Sequence, residues 1–362
     1  MALCIFEMSS INARRFNPSL EPKFDEIICL VDDPECYFPD GTFSCEVCCG
    51  GWSISQMTQF LMRNNVTQAV ISGQRIADFR FTLAAKAANV KVVYQMHGLY
   101  IPHMKRELGF YLSKLKKSLR TARYAVDIGI SLRSFAMCFW QIGNFVFGNI
   151  RSKIMRFREL HPDHAIVWSQ YWVEWHREHY QFPTHLPFSI CGNPDTMKFS
   201  HRKQSGVVQY IYQTLVEDGR IAEQDMRDYY NRLKASATRE NLTVVVKWHP
   251  RGDLHLRAIL EDLGFEITDD VIEQSTWCGH YSSLLGLGPL LGSNVIVHEL
   301  NDHPTPFSIA QIAQDIQPAL GPGDGTLVLK SEKVIKLKAA QYYFGPEFDQ
   351  SAVLEQLIES HA

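Results

Sequence analysis

The sequence predicts an α/β protein of two Rossmann-like domains, each built on a parallel sheet. Three observations carry that reading. Short β-branched runs alternate with helical stretches along the whole chain, as in βα units that feed parallel sheets. At 362 residues the chain is longer than one ordinary hydrophobic core serves, which makes two domains the expectation. The run CGNPDTMKFSHRKQSG (191–206) breaks the alternation with Gly, Pro, Asn and a charge cluster, shows no periodicity, and reads as a linker. The boundary is set at residue 198, giving domains 1–198 and 199–362.

In chain order, EIICLV (26–31), QAVISG (68–73), VKVVYQM (90–96), AIVWS (165–169) and LPFSICG (186–192) are apolar runs of strand length. Between them, 53–64, 75–89, 103–122, 130–148 and 171–180 have the length and spacing of helices. The second series runs VVQYIYQ (207–213), helix 222–237, LTVVVKW (242–248), helix 254–262, FEIT (265–268), NVIVHE (294–299) and helix 307–317. No repeat or low-complexity tract interrupts it. Two open parallel sheets facing across a cleft are the economical arrangement, and ligands of such folds bind at the carboxyl ends of the strands.

Composition narrows the function classes. Hydrophobic residues make up 46% of the chain and charged residues 21%, a soluble globular balance. The net charge of −3 offers no nucleic-acid footprint, so no nucleic-acid partner is expected. The opening MALCIFEMSSINARRF lacks a basic stretch followed by an apolar core and a small-residue cleavage site, and is not read as a signal peptide. Nine irregularly spaced cysteines, an odd number, imply reduced thiols and a cytoplasmic protein. Cys45, Cys48 and Cys49 contain a C-x-x-C pair, but a structural zinc needs four ligands and no second pair appears, so they are read as small buried thiols near a strand end.

Residues 105–123, KRELGFYLSKLKKSLRTAR, are strongly basic with interleaved apolar positions, and 134–150 run without a charge. The second stretch is short for a membrane span and carries Gln, Asn and two Gly. A buried helix beside a solvated basic one is the plainer reading. Peripheral contact of 105–150 with the inner face of a membrane is the other, and a lipid-linked acceptor would give it a use.

Four features sit at strand ends: His97-Gly98 in YQMHGLY; Gln213, Glu217, Asp218 and Arg220 in YQTLVEDGRI; Lys247, His249, Pro250 and Arg251 in VVVKWHPRGD; and Ser282-Ser283 in CGHYSSLLGLG. Hydroxyls at a helix start are commonly plain caps, and a His before Pro is commonly a turn residue. Together they make a cationic, hydroxyl-rich rim, for which a phosphate-bearing ligand is a natural occupant. NDHP (301–304) repeats the His-Pro pair in a loop and is read as a turn.

The order strand, KWHPR, helix, then SS about thirty residues later resembles the second domain of bacterial glycosyltransferases of GT-B architecture that use CMP-activated acidic sugars. The resemblance covers mainly residues 206–300. It implies that His249, within the His249-Pro250 motif, and Ser282-Ser283 hold the CMP phosphate, with Lys247 and Arg251 beside them, and that a C-terminal helix (352–360) packs back on an acceptor-side first domain. Two families compete for the acidic pair. Bacterial sialyl- and polysialyltransferases carry an acidic-acidic-Gly motif that EDG (217–219) matches, but theirs lies in the first domain, where this chain has His97-Gly98. The retaining β-Kdo transferases of O-antigen and capsule assembly are similar in position: a strand into Gln213, then Glu217-Asp218, then Ile221, one helix before KWHPR. The spacing from Gln to the acids is longer here than in the capsule enzymes.

That second resemblance implies transfer of Kdo, or a related ulosonic acid, from CMP-Kdo to a bacterial surface glycan, with Asp218 as nucleophile. Retention at an anomeric carbon is simplest by two displacements, the first by an enzyme carboxylate. Glu217 would raise the Asp218 pKa, while Arg220, Lys247 and Arg251 would lower it, and His249 would stabilise charge on the departing phosphate. Gln213 and Arg220 are assigned to sugar or acceptor, as are His97 and Gly98, with His97 a candidate acceptor base. No cofactor and no metal are expected, since no Asp-x-Asp motif is present. The rivals are an inverting sialyltransferase, a teichoic-acid-type transferase using a CDP-polyol, and a non-catalytic glycan- or nucleotide-binding partner. The plain alternative for Asp218 is the N-cap of the helix beginning near Ala222.

Overall fold

In the computed structural model the described residues are 2–8, 10–13, 24–96, 98–99, 108–147, 151–194, 200–300, 303–320, 326–331, 334–345, 349 and 352–353. The chain divides into two compact units. The first holds Met1–His97, Arg106–Cys191 and Asp349–Ala362, and the second holds Gly98–Lys105 and Gly192–Phe348. Most of the expected C-terminal helix 352–360 lies outside the described residues, as does His97.

The first unit is a seven-stranded sheet of β1 (Ala2–Glu7), β2 (Glu26–Val31), β3 (Cys45–Cys48), β4 (Val66–Ile71), β5 (Lys91–Gln95), β6 (His164–Val167) and β7 (Phe188–Ile190). The order is β3-β2-β1-β4-β5-β6-β7 and every neighbouring pair is parallel. The interior strand β1, between β2 and β4, was not among the expected strands. ALCIFE is buried along its whole length, so it shows no alternation, and Ala, Cys and Phe carry little of the β-branched signal. Cys45 and Cys48 are the two ends of strand β3 itself, and all nine cysteines are free thiols.

One charged cluster anchors the helices of this unit. Arg80 is fully buried; its Nε donates to Asp127 Oδ2 (3.1 Å), and Nη1 lies 3.8 Å from Asp32 Oδ1. Its guanidinium stacks 3.7 Å above the Tyr124 ring, and the Tyr124 hydroxyl donates to Asp32 Oδ1 (2.8 Å). These bonds tie the helix Ile76–Ala87 and the helix Leu108–Ser131 to the carboxyl end of β2. Burial pushes the Asp32 carboxyl up, opposed by the Tyr124 hydrogen bond and by Arg80.

The second unit has six parallel strands in the order β11-β10-β9-β13-β14-β15. They are β9 (Val207–Ile211), β10 (Thr243–Lys247), β11 (Glu266–Thr268), β13 (Thr276–Gly279), β14 (Asn294–Glu299) and β15 (Asp315–Pro318). A two-stranded parallel sheet pairs β8 (His201–Lys203), inside the expected linker, with β12 (Val271–Glu273). The expected helix 307–317 ends at Ile312, because the Gln314 N–H pairs with the Val295 carbonyl and the next residues join β14 as β15. Sheet pairing overrides local propensity there.

The core of this unit lies between the sheet and the helix Glu223–Arg239, whose Met226, Tyr229, Tyr230 and Leu233 fall on one helical face. It contains a polar network. Tyr210 Oη and His280 Nε2 are 3.2 Å apart, His280 Nδ1 donates to the His298 carbonyl (2.7 Å), and Tyr229 donates to His298 Nδ1 (2.7 Å). Burial pushes His280 down to about 4, and burial together with His280 pushes His298 down to about 3. A histidine with a depressed folded value takes up its proton more readily in the unfolded chain. Stability is therefore full above the ordinary value near 6.5 and falls as pH drops toward the folded values. The expected cost is about 1.4 kcal/mol per pH unit for each titrating ring. Urea unfolding midpoints are expected to fall steadily from about pH 6.5 to 4, and His298→Gln to flatten that slope. An unchanged slope in the variant would remove the network as its cause.

Candidate active site

Because the strands of the second unit are parallel, their carboxyl ends share one edge, and the loops that follow β9, β10, β13 and β14 meet there. The loop after β9 is the hub. Residues 215–219 form a single turn in which Gly219 N–H returns to the Val216 carbonyl (2.9 Å) and Arg220 N–H to the Leu215 carbonyl (2.8 Å). Gly219 takes φ +65° at its end, the left-handed stop that glycine supplies at least cost. The EDG letters therefore have a local cause: the glycine closes the turn that presents both acids.

The two carboxylates do different things. Glu217 Oε1 accepts from the Tyr212 hydroxyl (2.8 Å) and from the Asp253 N–H (2.9 Å), which locks the β9 loop to the loop after β10. Tyr212 is held in turn by its ring, 4.2 Å from that of Trp248. Asp218 is exposed and takes one hydrogen bond at Oδ2, from the buried Thr214 hydroxyl (3.0 Å). Asp218 is not a helix cap; Ala222 occupies that position and makes no side-chain cap bond.

Thr214 links the acid to the His-Pro loop, since Arg251 Nη2 donates to its Oγ1 (3.3 Å). The Arg251 N–H donates to His249 Nδ1 (3.1 Å), and Gly252 N–H returns to the His249 carbonyl (2.8 Å). A turn thus orients the imidazole with Nδ1 as acceptor, which leaves the proton on Nε2. Pro250 lies exposed in the same turn. Lys247 does not join this rim. It is buried on the sheet face of Val245, opposite the face of Trp248, and donates to the Trp248 carbonyl (3.2 Å). Burial pushes its pKa down, against Asp269 and Asp270.

Gln213 joins β9 to β13: its Oε1 accepts the Tyr281 N–H (3.0 Å), which positions the Ser282-Ser283 loop. Ser282 caps a 3-10 turn over Ser283–Leu287, accepting the Leu284 N–H (3.2 Å), so the helix-like apolar run is 3-10 here. The Arg220 guanidinium lies 5.7 Å from the Tyr281 ring centre. Burial pushes the Tyr281 pKa up, opposed by the Arg220 cation beside it, while Arg220 Nη1 and Tyr281 Oη are buried without hydrogen-bond geometry. His303 completes the group. Its Nε2 donates to the Arg220 carbonyl (3.2 Å), its ring centre lies 5.9 Å from that of Tyr281 with the planes tilted by 55°, and its buried Nδ1 has no partner.

The structure therefore gathers Gln213, Glu217, Asp218, Arg220, His249, Arg251 and Ser282 on one edge, and sets Lys247 apart. Thr214, Tyr281 and His303 were not among the expected residues, and NDHP was read only as a turn. The usable signal was positional: His303-Pro304 follows a strand, like His249-Pro250. Gly98 is a half-buried bend after β5, and His97 lies outside the described residues. Among the described residues, no group of three or more His, Cys, Asp or Glu side chains is placed to hold a metal ion.

No family model matches the chain, and no curated protein matches it in sequence. Solved structures do match. A UDP-N-acetylglucosamine 2-epimerase aligns at a TM-score of 0.51 with 10% identity, over 99% of this chain and 95% of that one. MnaA of S. aureus, solved with UDP, aligns at 0.50 with 10% identity, over 99% and 96%. The fold is GT-B. That architecture gives this chain its two Rossmann-like units, and at such identity the likeness is one of fold alone.

The division of work between the acids has a measurable consequence. Glu217→Ala is expected to lower stability by about 1–3 kcal/mol, because it strips the buried Tyr212 hydroxyl and the Asp253 N–H of their acceptor. Asp218→Asn, at an exposed position, is expected to stay within about 0.5 kcal/mol of wild type. Urea unfolding of both variants checks this, and equal losses would contradict it.

Proposed function

We propose that the chain is a glycosyltransferase that takes an acidic sugar, Kdo or a related ulosonic acid, from its CMP donor and passes it to a bacterial surface glycan. The observation that carries the reading is one loop presenting both charges the chemistry needs. Asp218 stands exposed with a single hydrogen bond, and two residues on, Arg220 keeps a buried guanidinium nitrogen without a partner. The guanidinium is half-buried beside the Tyr281 ring, and its open Nη1 can donate to an anion, which a sugar carboxylate or donor phosphate fits by charge-assisted hydrogen bonds. His303 Nδ1, an unpaired acceptor, suits a sugar hydroxyl.

In this reading an Asp218 oxygen attacks the anomeric carbon, the bond from that carbon to the phosphate oxygen breaks, and CMP leaves with the electron pair. The acceptor hydroxyl then attacks the same carbon, its proton passes to solvent water, and the bond to Asp218 breaks to release the carboxylate. His249, with its proton on Nε2, and Arg251 stabilise charge on the departing phosphate. Ser282 and Ser283 border the phosphate from the β13 loop. Glu217 holds the loop in place and Thr214 orients the nucleophile.

Intact mass spectrometry after incubation with CMP-Kdo, CMP-sialic acid, a CDP-polyol and UDP-GlcNAc tests the proposal. The expected result is a mass increase with CMP-Kdo alone that maps to Asp218 and is lost in Asp218→Asn, a variant whose turnover should fall by about a thousandfold or more. An adduct-free transfer with inversion at the anomeric carbon, read by NMR, would favour the sialyltransferase-like chemistry. The fold likeness to 2-epimerases makes UDP-GlcNAc a necessary control, and its turnover to a 2-epimer would replace the proposed reaction.

A further inference from the structure

The first unit carries a helical hairpin whose inner face is fully committed and whose outer face is not. The helices Leu108–Ser131 and Phe135–Phe147 are joined by a tight turn. Ser134 N–H closes on the Gly129 carbonyl (2.8 Å), and Arg133 takes φ +50°. Gly129 is required for the crossing, since a Cβ there would meet Cys138 Sγ at 2.2 Å. On the inner face Tyr124, Ala125, Ile128, Met137 and Gln141 are buried, and Asp127 and Tyr124 are held by Arg80.

The outer face is apolar. Leu119 (79% exposed), Val126 and Ile130 (70%) lie on one stripe of the first helix, and Phe135 (87%), Phe139 (74%) and Ile142 on one stripe of the second. Spacings of seven and four residues in the first set, and of four and three in the second, keep each on one helical face, so these are not scattered surface apolar residues. Basic side chains border it. Arg123 and Arg133 are exposed beside the stripe, and Arg156 stacks 4.0 Å from the Trp140 ring.

Charge identifies the occupant. Residues 108–158 contain ten Lys or Arg and one acid, Asp127, a net of +9 in a chain of net −3, so the remainder carries −12. The one acid is already paired with Arg80, and among the bases Arg120 is paired with Asp33. A second copy of this chain would set +9 against +9 at a shared hairpin face, whereas an anionic lipid surface answers both the charge and the apolar stripe. Among the described residues no helix is long and apolar enough to cross a membrane, so the hairpin would lie on the surface. We propose that this hairpin docks the protein on an anionic bilayer, with Phe135, Phe139, Ile130 and Leu119 entering the headgroup–acyl boundary and the arginines meeting lipid phosphate. The inference is independent of the reaction proposed above.

Sedimentation of the full chain with vesicles of equimolar phosphatidylglycerol and phosphatidylethanolamine, and with phosphatidylcholine alone, tests it. Binding is expected to the anionic vesicles only and to weaken with added salt. Phe135→Ser with Phe139→Ser should lower partitioning by at least about tenfold with an unchanged melting temperature, because both rings are exposed. Arg123→Glu with Arg133→Glu should remove most of the salt-sensitive part. In the wild type, hydrogen exchange at the 131–136 turn should slow on anionic vesicles, a readout that needs no variant. Absence of vesicle binding, equal binding by the Phe variant, or a concentration-dependent dimer that this variant abolishes would overturn the proposal.

Discussion

Parallel strands impose one constraint on the second unit that everything at the candidate site depends on: all six carboxyl ends lie on the same edge. Four loops far apart in sequence become neighbours without any contact having to specify the meeting. What the side chains add is registration. The Gln213 amide fixes the β13 loop through the Tyr281 N–H, and the Glu217 carboxylate fixes the β10 loop through the Asp253 N–H. Each bond spans strand ends already close, so the ordering cost is small and the positional gain large.

For the proposed reaction, a carboxylate used twice as an acceptor would be a poor nucleophile, and one left with a single bond at an exposed position a better one. The acidic pair divides along that line. The same logic separates the cations: Lys247 is withdrawn to the far face and lowered in pKa by burial, whereas Arg251 and Arg220 stay at the edge. Guanidinium groups suit this role because they keep their charge when partly desolvated.

Much of the fold could be read from the chain, because βα alternation survives in composition. Strands such as EIICLV and NVIVHE were legible to the residue. The interior strand ALCIFE was not, since burial on both faces erases the period-two pattern that marks strands. TWCG and DIQP are too short to carry a period and are strands only because neighbours offer an edge. At the candidate site, single residues and their order could be read, but pairings could not. Nothing local says that His303 meets Arg220, 83 residues earlier, or that Asp253 N–H finds Glu217. Lys247 shows the reverse case: its neighbours in sequence placed it on the rim, and strand alternation turned it inward.

The buried guanidinium of Arg80 has a consequence for how this chain can vary. It cannot shed its charge, and its partners come from two elements, Asp32 from the end of β2 and Asp127 and Tyr124 from the helix Leu108–Ser131. Removing any one member strands the others in a dry interior, while replacing all of them with apolar groups of similar shape need not. Positions 32, 80, 124 and 127 therefore behave as a single heritable unit, reached by joint replacement rather than by steps.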